Sequence, residues 1–448
     1  AGSTPHLQPL WQSSLARQAD PILDRLFASW AQFRQSTRGP IATSNFSIVM
    51  DGKVILRDFS GIRAFELASG RKLWSYRSDS SLAATTEIIK GHFARNPGIE
   101  SQLNNIVDMR RAYADNATLG MISTDGRRVF AVDSMSLLTA RAAAHPTLNP
   151  FKGAAGKGVR DRASNQLIAL PLDVAPGKKS ELREPLWRVG GPRGGRENAK
   201  SLTGHFFLGA PLPVDGRLYA ITERDRQLNV VALDGATGRL LWSQGIALVA
   251  RSITADEIRY FRACNPAYAD GVIVCPTQSG MLVGVDALTG TLLWTYFCGD
   301  QAVAKRIAQR SLARFRSHGS DGFPAVPRIT GNRVVFMPRL SDEVHCLDLQ
   351  TGARLWKKPR LDGEYVGTVT SQGTVLVVGR RTSRGLSLET GQQVWSVTTG
   401  FPSGQGVQVG GKYLIPLQSG AVAMIDVESG RRVGLAGSTN VPLPTMPL

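Results

Sequence analysis

Cysteine is scarce in this chain and shows no paired spacing: Cys264, Cys275, Cys298 and Cys346 include no CxxC, no CxxCH and no adjacent pair. That argues against zinc, attached haem and dithiol redox chemistry. It leaves buried free thiols, with one disulfide as the alternative. No apolar run reaches the roughly 18 residues of a membrane-spanning helix. The start, Ala1-Gly2-Ser3-Thr4, is neither an initiator methionine nor a signal peptide and reads as trimmed. His6, His92, His145, His205, His318 and His345 are scattered, with no HxH or HExxH spacing for a metal, and no GxSxG elbow occurs. Gly153-Ala-Ala-Gly156-Lys157-Gly158 lacks the Ser or Thr that a phosphate loop needs after its lysine. Acidic residues are also short, 35 against 53 Lys and Arg, giving a net charge of +18. Such an excess attracts anionic partners. Without a clustered motif, specific nucleic-acid binding is not expected.

What is abundant is glycine, 47 residues, beside 24 prolines, a composition suited to many short strands joined by tight turns. One pattern recurs: an apolar run, an acidic residue, two variable residues, Ser/Thr-Gly, three residues, then Trp. It reads Glu66-Leu-Ala-Ser-Gly70-Arg-Lys-Leu-Trp74, then Asp234 to Gly238 and Trp242, Asp286 to Gly290 and Trp294, and Asp348 to Gly352 and Trp356. Ser387 to Gly391 and Trp395 replaces the acid, Asp426 to Gly430 has Gly434 in place of the Trp, and Asp173 to Gly177 reaches Trp187 through extra residues.

Asp or Ser can bond its side chain to turn N–H groups while Gly takes the left-handed conformation, so each copy is a hairpin. A second hairpin signal precedes each one: Asp51-Gly52, Asp125-Gly126, Asp215-Gly216, Asp270-Gly271, Gly331-Asn332, Gln372-Gly373 and Gly410-Gly411. Two hairpins make a four-stranded unit, and the shortest spacing between copies, 39 residues, matches the ~40 of a propeller blade. The fold class is therefore all-β, with Trp74, Trp187, Trp242, Trp294, Trp356 and Trp395 as structural wedges between neighbouring blades.

At these residues the chain resembles the bacterial PQQ-like β-propeller family, named for pyrroloquinoline quinone, over roughly residues 41 to 435. The resemblance implies a propeller of seven to eight four-stranded blades across 41–448, an extracytoplasmic setting, and either of two activities found in the family. One is a non-catalytic binding or assembly scaffold. The other is a quinoprotein alcohol or sugar dehydrogenase using PQQ and calcium. No catalytic, cofactor or metal residue can be assigned by motif, which favours the scaffold, without a cofactor.

Residues 1–40 are expected to form a separate N-terminal strand around Trp11 and a helix opened by Asp20-Pro21, with Leu23, Leu26, Phe27 and Trp30 at helical spacing. The Trp11 strand could belong to an incomplete eighth blade. Insertions near 79–117, 134–164, 190–206, 246–266 and 299–325 all fall opposite the tight hairpins, so one face is decorated and the other plain. Several are basic, and the 299–325 segment reads as helical from Gln301 to Arg316. Arg160, Arg162, Arg193, Arg196, Lys305, Arg306, Arg310 and Arg314 are the candidate binding-face residues for a protein or an anionic polymer.

Overall fold

The computed structural model describes Trp11, Pro21, Ile22, residues 24–26, Ala28 and, between 46 and 436, all residues but 96–97, 99–101, 109–111, 113–115, 146–147, 149–161, 175–179, 193–201, 300–324 and 339–340. Among these, two compact units divide at Ala263/Cys264. The boundary expected at residue 40 lies outside the described residues. Seven sheets are present among the described residues, three in the first unit and four in the second. They span 48–77, 122–190 and 206–248, then 267–297, 328–359, 363–398 and 407–436. In each sheet the main strands follow chain order as an antiparallel meander, and the first adds a fifth, parallel strand, Glu181–Leu182. In the third, the first position is shared by Phe206–Phe207 and Leu212–Val214, both paired with Arg217–Arg224.

The turn chemistry is as the sequence requires. Asp51-Gly52, Asp215-Gly216 and Asp270-Gly271 have positive φ at both residues, 47° and 69°, 46° and 78°, and 45° and 81°, the two-residue hairpin geometry whose twist matches the strands it joins. In the second hairpin of the fourth sheet, Asp286 Oδ1 accepts the N–H of Leu288 at 3.0 Å and both the N–H and hydroxyl of Thr289 at 2.7 Å. The Gly290 N–H closes the turn on Asp286 O at 2.9 Å. The Thr289 bonds hold the Asp286 carboxyl below the usual carboxylate range. Asp234 and Asp426 are held low in the same way by Thr237 and Ser429.

The tryptophans sit on the outermost strands and reach the next turn along the chain. Nε1 of Trp294 donates to Leu349 O at 2.8 Å, Trp356 to Leu388 O at 2.8 Å and Trp395 to Val427 O at 3.0 Å. Each acceptor lies three residues before the glycine of the next Ser/Thr-Gly turn. In the first unit Trp11 donates to Leu67 O, Trp187 to Gly235 O and Trp74 to Leu172 O. The indole covers that glycine: a Cβ at Gly352 would stand 2.6 Å from the Trp294 ring, one at Gly391 2.7 Å from Trp356, and one at Gly70 2.4 Å from Trp11. Glycine is thus required twice over, for its positive φ and for the ring lying on it.

The residue across the strand from each indole is small: Ala64 faces Trp74, Ala169 faces Trp187, Ala232 faces Trp242, Gly284 faces Trp294, Cys346 faces Trp356 and Gly385 faces Trp395. Where Gly434 replaces Trp, the opposite residue is the larger Met424. At Trp187, Trp294, Trp356 and Trp395 the ring therefore fills space left both across the strand and at the next turn. Trp74, Trp294 and Trp356 are fully buried, whereas Trp187, Trp242 and Trp395 are half-buried. Trp242 packs on Tyr219 at 5.9 Å, but its buried Nε1 makes no hydrogen bond.

Two further expectations meet the structure. Pro21, Ile22, residues 24–26 and Ala28 are helical, with Ile22 and Leu26 buried one turn apart. The hairpin face is less plain than expected. The long connection in the second sheet between Gln166–Pro171 and Trp187–Gly190 sends Glu181–Leu182 back to the first sheet, where it pairs in parallel with Lys72–Arg77.

Burying an indole contributes at most about 4–6 kcal/mol. Trp294→Ala should therefore lower unfolding free energy by ~3–5 kcal/mol. Gly352→Ala, strained in φ and blocked by the same ring, should lower it by ~1–3 kcal/mol. Denaturant unfolding of the two variants and their double mutant checks the coupling, because with the ring gone the alanine should cost markedly less.

Candidate binding face

The ends of the sheets opposite the tight hairpins carry the insertions, and in the first unit three of these converge on one side chain. Tyr260, in the short helix Glu257–Phe261, is fully buried. Its hydroxyl donates to Ser136 O at 2.9 Å, and its carbonyl accepts from the Thr118 hydroxyl at 3.1 Å. Its ring lies 4.9 Å from Phe206 and 4.9 Å from Phe261. Residues from the 79–117, 134–164 and 246–266 insertions or their flanks are thereby held on one hub.

Arg162 is part of that hub, which corrects its assignment as a binding-face residue. Its guanidinium lies 3.9 Å over the Tyr260 ring, bonds Glu257 at 3.1 Å and donates to Leu138 O. Only 5% of the residue is exposed. Burying a guanidinium requires partners that replace its hydration, and a carboxylate, a carbonyl and a ring face do so for Arg162, whose Nε alone makes no hydrogen bond. A second buried pair joins Arg259 to Glu223, whose Oε1 also accepts the Ile253 N–H at 2.8 Å. Both pairs tie the Glu257–Phe261 region to distant segments. Arg160, Arg193, Arg196, Lys305, Arg306, Arg310 and Arg314 lie outside the described residues, as does the helix expected over 301–316.

A further buried network links the first two sheets at the same end. Asp133 accepts the hydroxyls of Ser78 at 2.6 Å and Tyr76 at 3.0 Å and the N–H groups of Ser80 and Ser134. Arg57 donates to Ser78 Oγ and to Val132 O. Burial alone would raise the Asp133 pKa, but Arg57 and these hydrogen bonds outweigh it and hold the carboxyl below its ordinary range. Burial, reinforced by Asp133, drives the Tyr76 phenol up. These groups are locked in charge-assisted bonds, an arrangement that positions loops rather than proton donors.

In the second unit His345 Nδ1 lies 3.0 Å from Tyr296 Oη and Nε2 lies 3.1 Å from Ser341 Oγ. Burial pulls its pKa down to about 4, with Lys357 and Arg354 acting in the same sense and Glu343 opposing them. The four cysteines are buried and none is in a disulfide. Burial pushes Cys298 up to about 12 and Cys346 up to about 11, so neither is a ready nucleophile. Among the described residues, no group of three or more His, Cys, Asp or Glu is placed to hold a metal ion, and no helix is long and apolar enough to cross a membrane.

Repeated four-stranded meanders joined by a tryptophan on a glycine turn define a β-propeller of PQQ-like repeats. The chain belongs to the family described as the outer membrane protein assembly factor BamB, whose model matches residues 183–320 and 317–439, more than half of the sequence. The dehydrogenase subunit of a quinone-dependent alcohol dehydrogenase from Gluconacetobacter polyoxogenes is 31% identical over 157 residues, 33% of this chain and 19% of that protein. The chain thus matches about a fifth of the length of that curated relative. BamB from Moraxella catarrhalis superposes with a TM-score of 0.49 at 14% identity, covering 85% of this chain and 84% of that one. A quinohemoprotein alcohol dehydrogenase from Comamonas testosteroni gives 0.49 at 12% identity, covering 90% and 67%.

Because the folded His345 pKa is depressed below 6.5, its contribution to stability is complete above that value and is lost as pH falls toward about 4. Unfolding measured between those limits should show wild-type stability declining with acid. His345→Gln should flatten that part of the profile.

Proposed function

We propose that the chain is a non-catalytic binding or assembly scaffold that presents its insertion-rich, basic face to a protein or anionic partner in an extracytoplasmic setting. Membership of a family described as an assembly factor carries the reading. Support comes from the insertions themselves: where described, they are fixed by Tyr260, Arg162 with Glu257, and Arg259 with Glu223. Binding surfaces commonly occupy long loops held by a rigid scaffold. The net charge of +18 favours an acidic partner and fast, salt-sensitive encounter.

The 31% identity to an alcohol dehydrogenase subunit favours a second reading, a PQQ- and calcium-dependent dehydrogenase. The scaffold reading expects that added PQQ with calcium neither binds nor supports oxidation of alcohols or sugars with an artificial acceptor. Stoichiometric micromolar binding with turnover would replace it by the dehydrogenase. The choice of face is tested by retention on an anionic heparin matrix. Lys305→Glu, Arg310→Glu and Arg314→Glu together should lower the salt needed for elution more than Arg239→Glu, Arg354→Glu and Arg431→Glu beside the hairpin turns. Equal losses would mean diffuse charge attraction, and a larger loss from the second set would place binding on the opposite face.

A further inference from the structure

Among the described residues, the last strand of the meander has an unpaired edge in every sheet but the first, and these edges differ in how they are protected. In the first sheet the edge is covered, because Glu181–Leu182 pairs in parallel with Lys72–Arg77 and Ser75 donates to Ser180 O at 2.8 Å. In the fifth, Arg354–Pro359 carries Lys357, Lys358 and Pro359, residues that block further strand addition. In the sixth, Gln393–Thr398 exposes Val394 with polar Ser396 and Thr398 beyond it. The seventh begins with Arg432, beside the exposed Val433. The edges of the third sheet, Leu240–Leu248, and of the sixth also lack charge and proline, but the fourth exposes three large apolar residues, Leu292, Leu293 and Phe297, more than any other described edge. Leu292–Phe297 reads Leu-Leu-Trp-Thr-Tyr-Phe, with no charge, no proline and no covering strand among the described residues.

Its side chains alternate in the way a docking edge requires. Trp294 points to the buried side, while Leu293, Thr295 and Phe297 are exposed, Leu293 by 44% and Phe297 by 55%, beside Leu292 at 44%. Trp294 anchors the strand by its bond to Leu349 O. An uncharged, β-prone edge of this kind is a template for strand addition, with main-chain hydrogen bonds giving affinity and alternate side chains giving selectivity.

We propose that Leu292–Phe297 is a docking edge for an extended segment of another polypeptide, with apolar residues at alternate positions and acidic residues at its ends. The acidic ends follow from charge: Arg354 stands beside Tyr296, and the chain carries +18 overall. The same excess opposes pairing with a second copy of this chain. The contact mode already exists within the molecule, where Glu181–Leu182 extends the first sheet. The inference is independent of the insertion-bearing face.

The probe is a peptide of roughly six alternating valines and threonines flanked by glutamates, titrated against the intact chain while amide exchange is followed. The expected result is saturable binding with slowed exchange confined to 292–297, weakened about tenfold or more in Thr295→Lys/Phe297→Lys. Ser396→Lys in the sixth sheet should leave it unchanged, and a peptide with proline at its centre should not bind. Exchange on the wild-type chain decides the point even if the double variant folds poorly. No binding, protection elsewhere, or equal binding by the Lys variant would overturn the proposal. A concentration-dependent dimer of the wild type that the Lys variant abolishes would overturn the foreign occupant in favour of a second copy.

Discussion

The tryptophan of one repeat seated on the glycine turn of the next is the interaction on which the rest of this structure depends, because it acts in both directions at once. It buries an aromatic ring and satisfies its N–H on a backbone carbonyl, as at Trp356 and Leu388 O. It also forces glycine at the turn and a small residue across the strand. Three positions separated in sequence are thereby coupled by one volume: Cys346, Trp356 and Gly391 form one such set, and Gly385, Trp395 and Gly430 another. Close packing leaves little slack, so a change at any member is felt by the other two.

Much of the fold is legible in the sequence because its determinants are local. The acid, the Ser/Thr-Gly and the Trp lie within one hairpin, so their spacing encodes the turn, the strand face and the contact made by the outer strand. The small residue opposite each Trp was equally present in the sequence, two positions before the acid in the regular copies, as at Ala64, Ala232 and Gly284. Its meaning appears only when the register is known. Glu181–Leu182 is illegible for a different reason: two residues have no periodicity, and their partner is set by where the connection returns.

The binding face is less legible, and Arg162 shows why. In sequence it stands among Lys157 and Arg160 and has the character of a solvated basic run. Its actual partners, Glu257 and Tyr260, lie nearly a hundred residues away on another insertion. Composition reports charge but not pairing, and a guanidinium buried against a carboxylate contributes nothing to a docking field. The same holds for Arg259 with Glu223, and Arg57 is likewise buried, donating to Ser78 Oγ and Val132 O. The net charge of the chain therefore understates how selective its surface is, since several of its cations are spent inside.

That internal use of charge bears on what the molecule can do. The buried carboxylates Asp133 and Glu223 are each occupied by hydrogen-bond donors. Asp133 accepts two hydroxyls and two backbone N–H groups, and Glu223 holds Arg259 while receiving the Ile253 N–H. Such groups give up reactivity and gain geometry: they fix insertions at defined places on the sheets, at a desolvation cost that only well-made pairs recover. The tryptophans supply the stability that makes this cost tolerable. Packing repeated along the chain carries the fold, which leaves the outward-facing Leu293, Thr295 and Phe297 free to vary in sequence without endangering it.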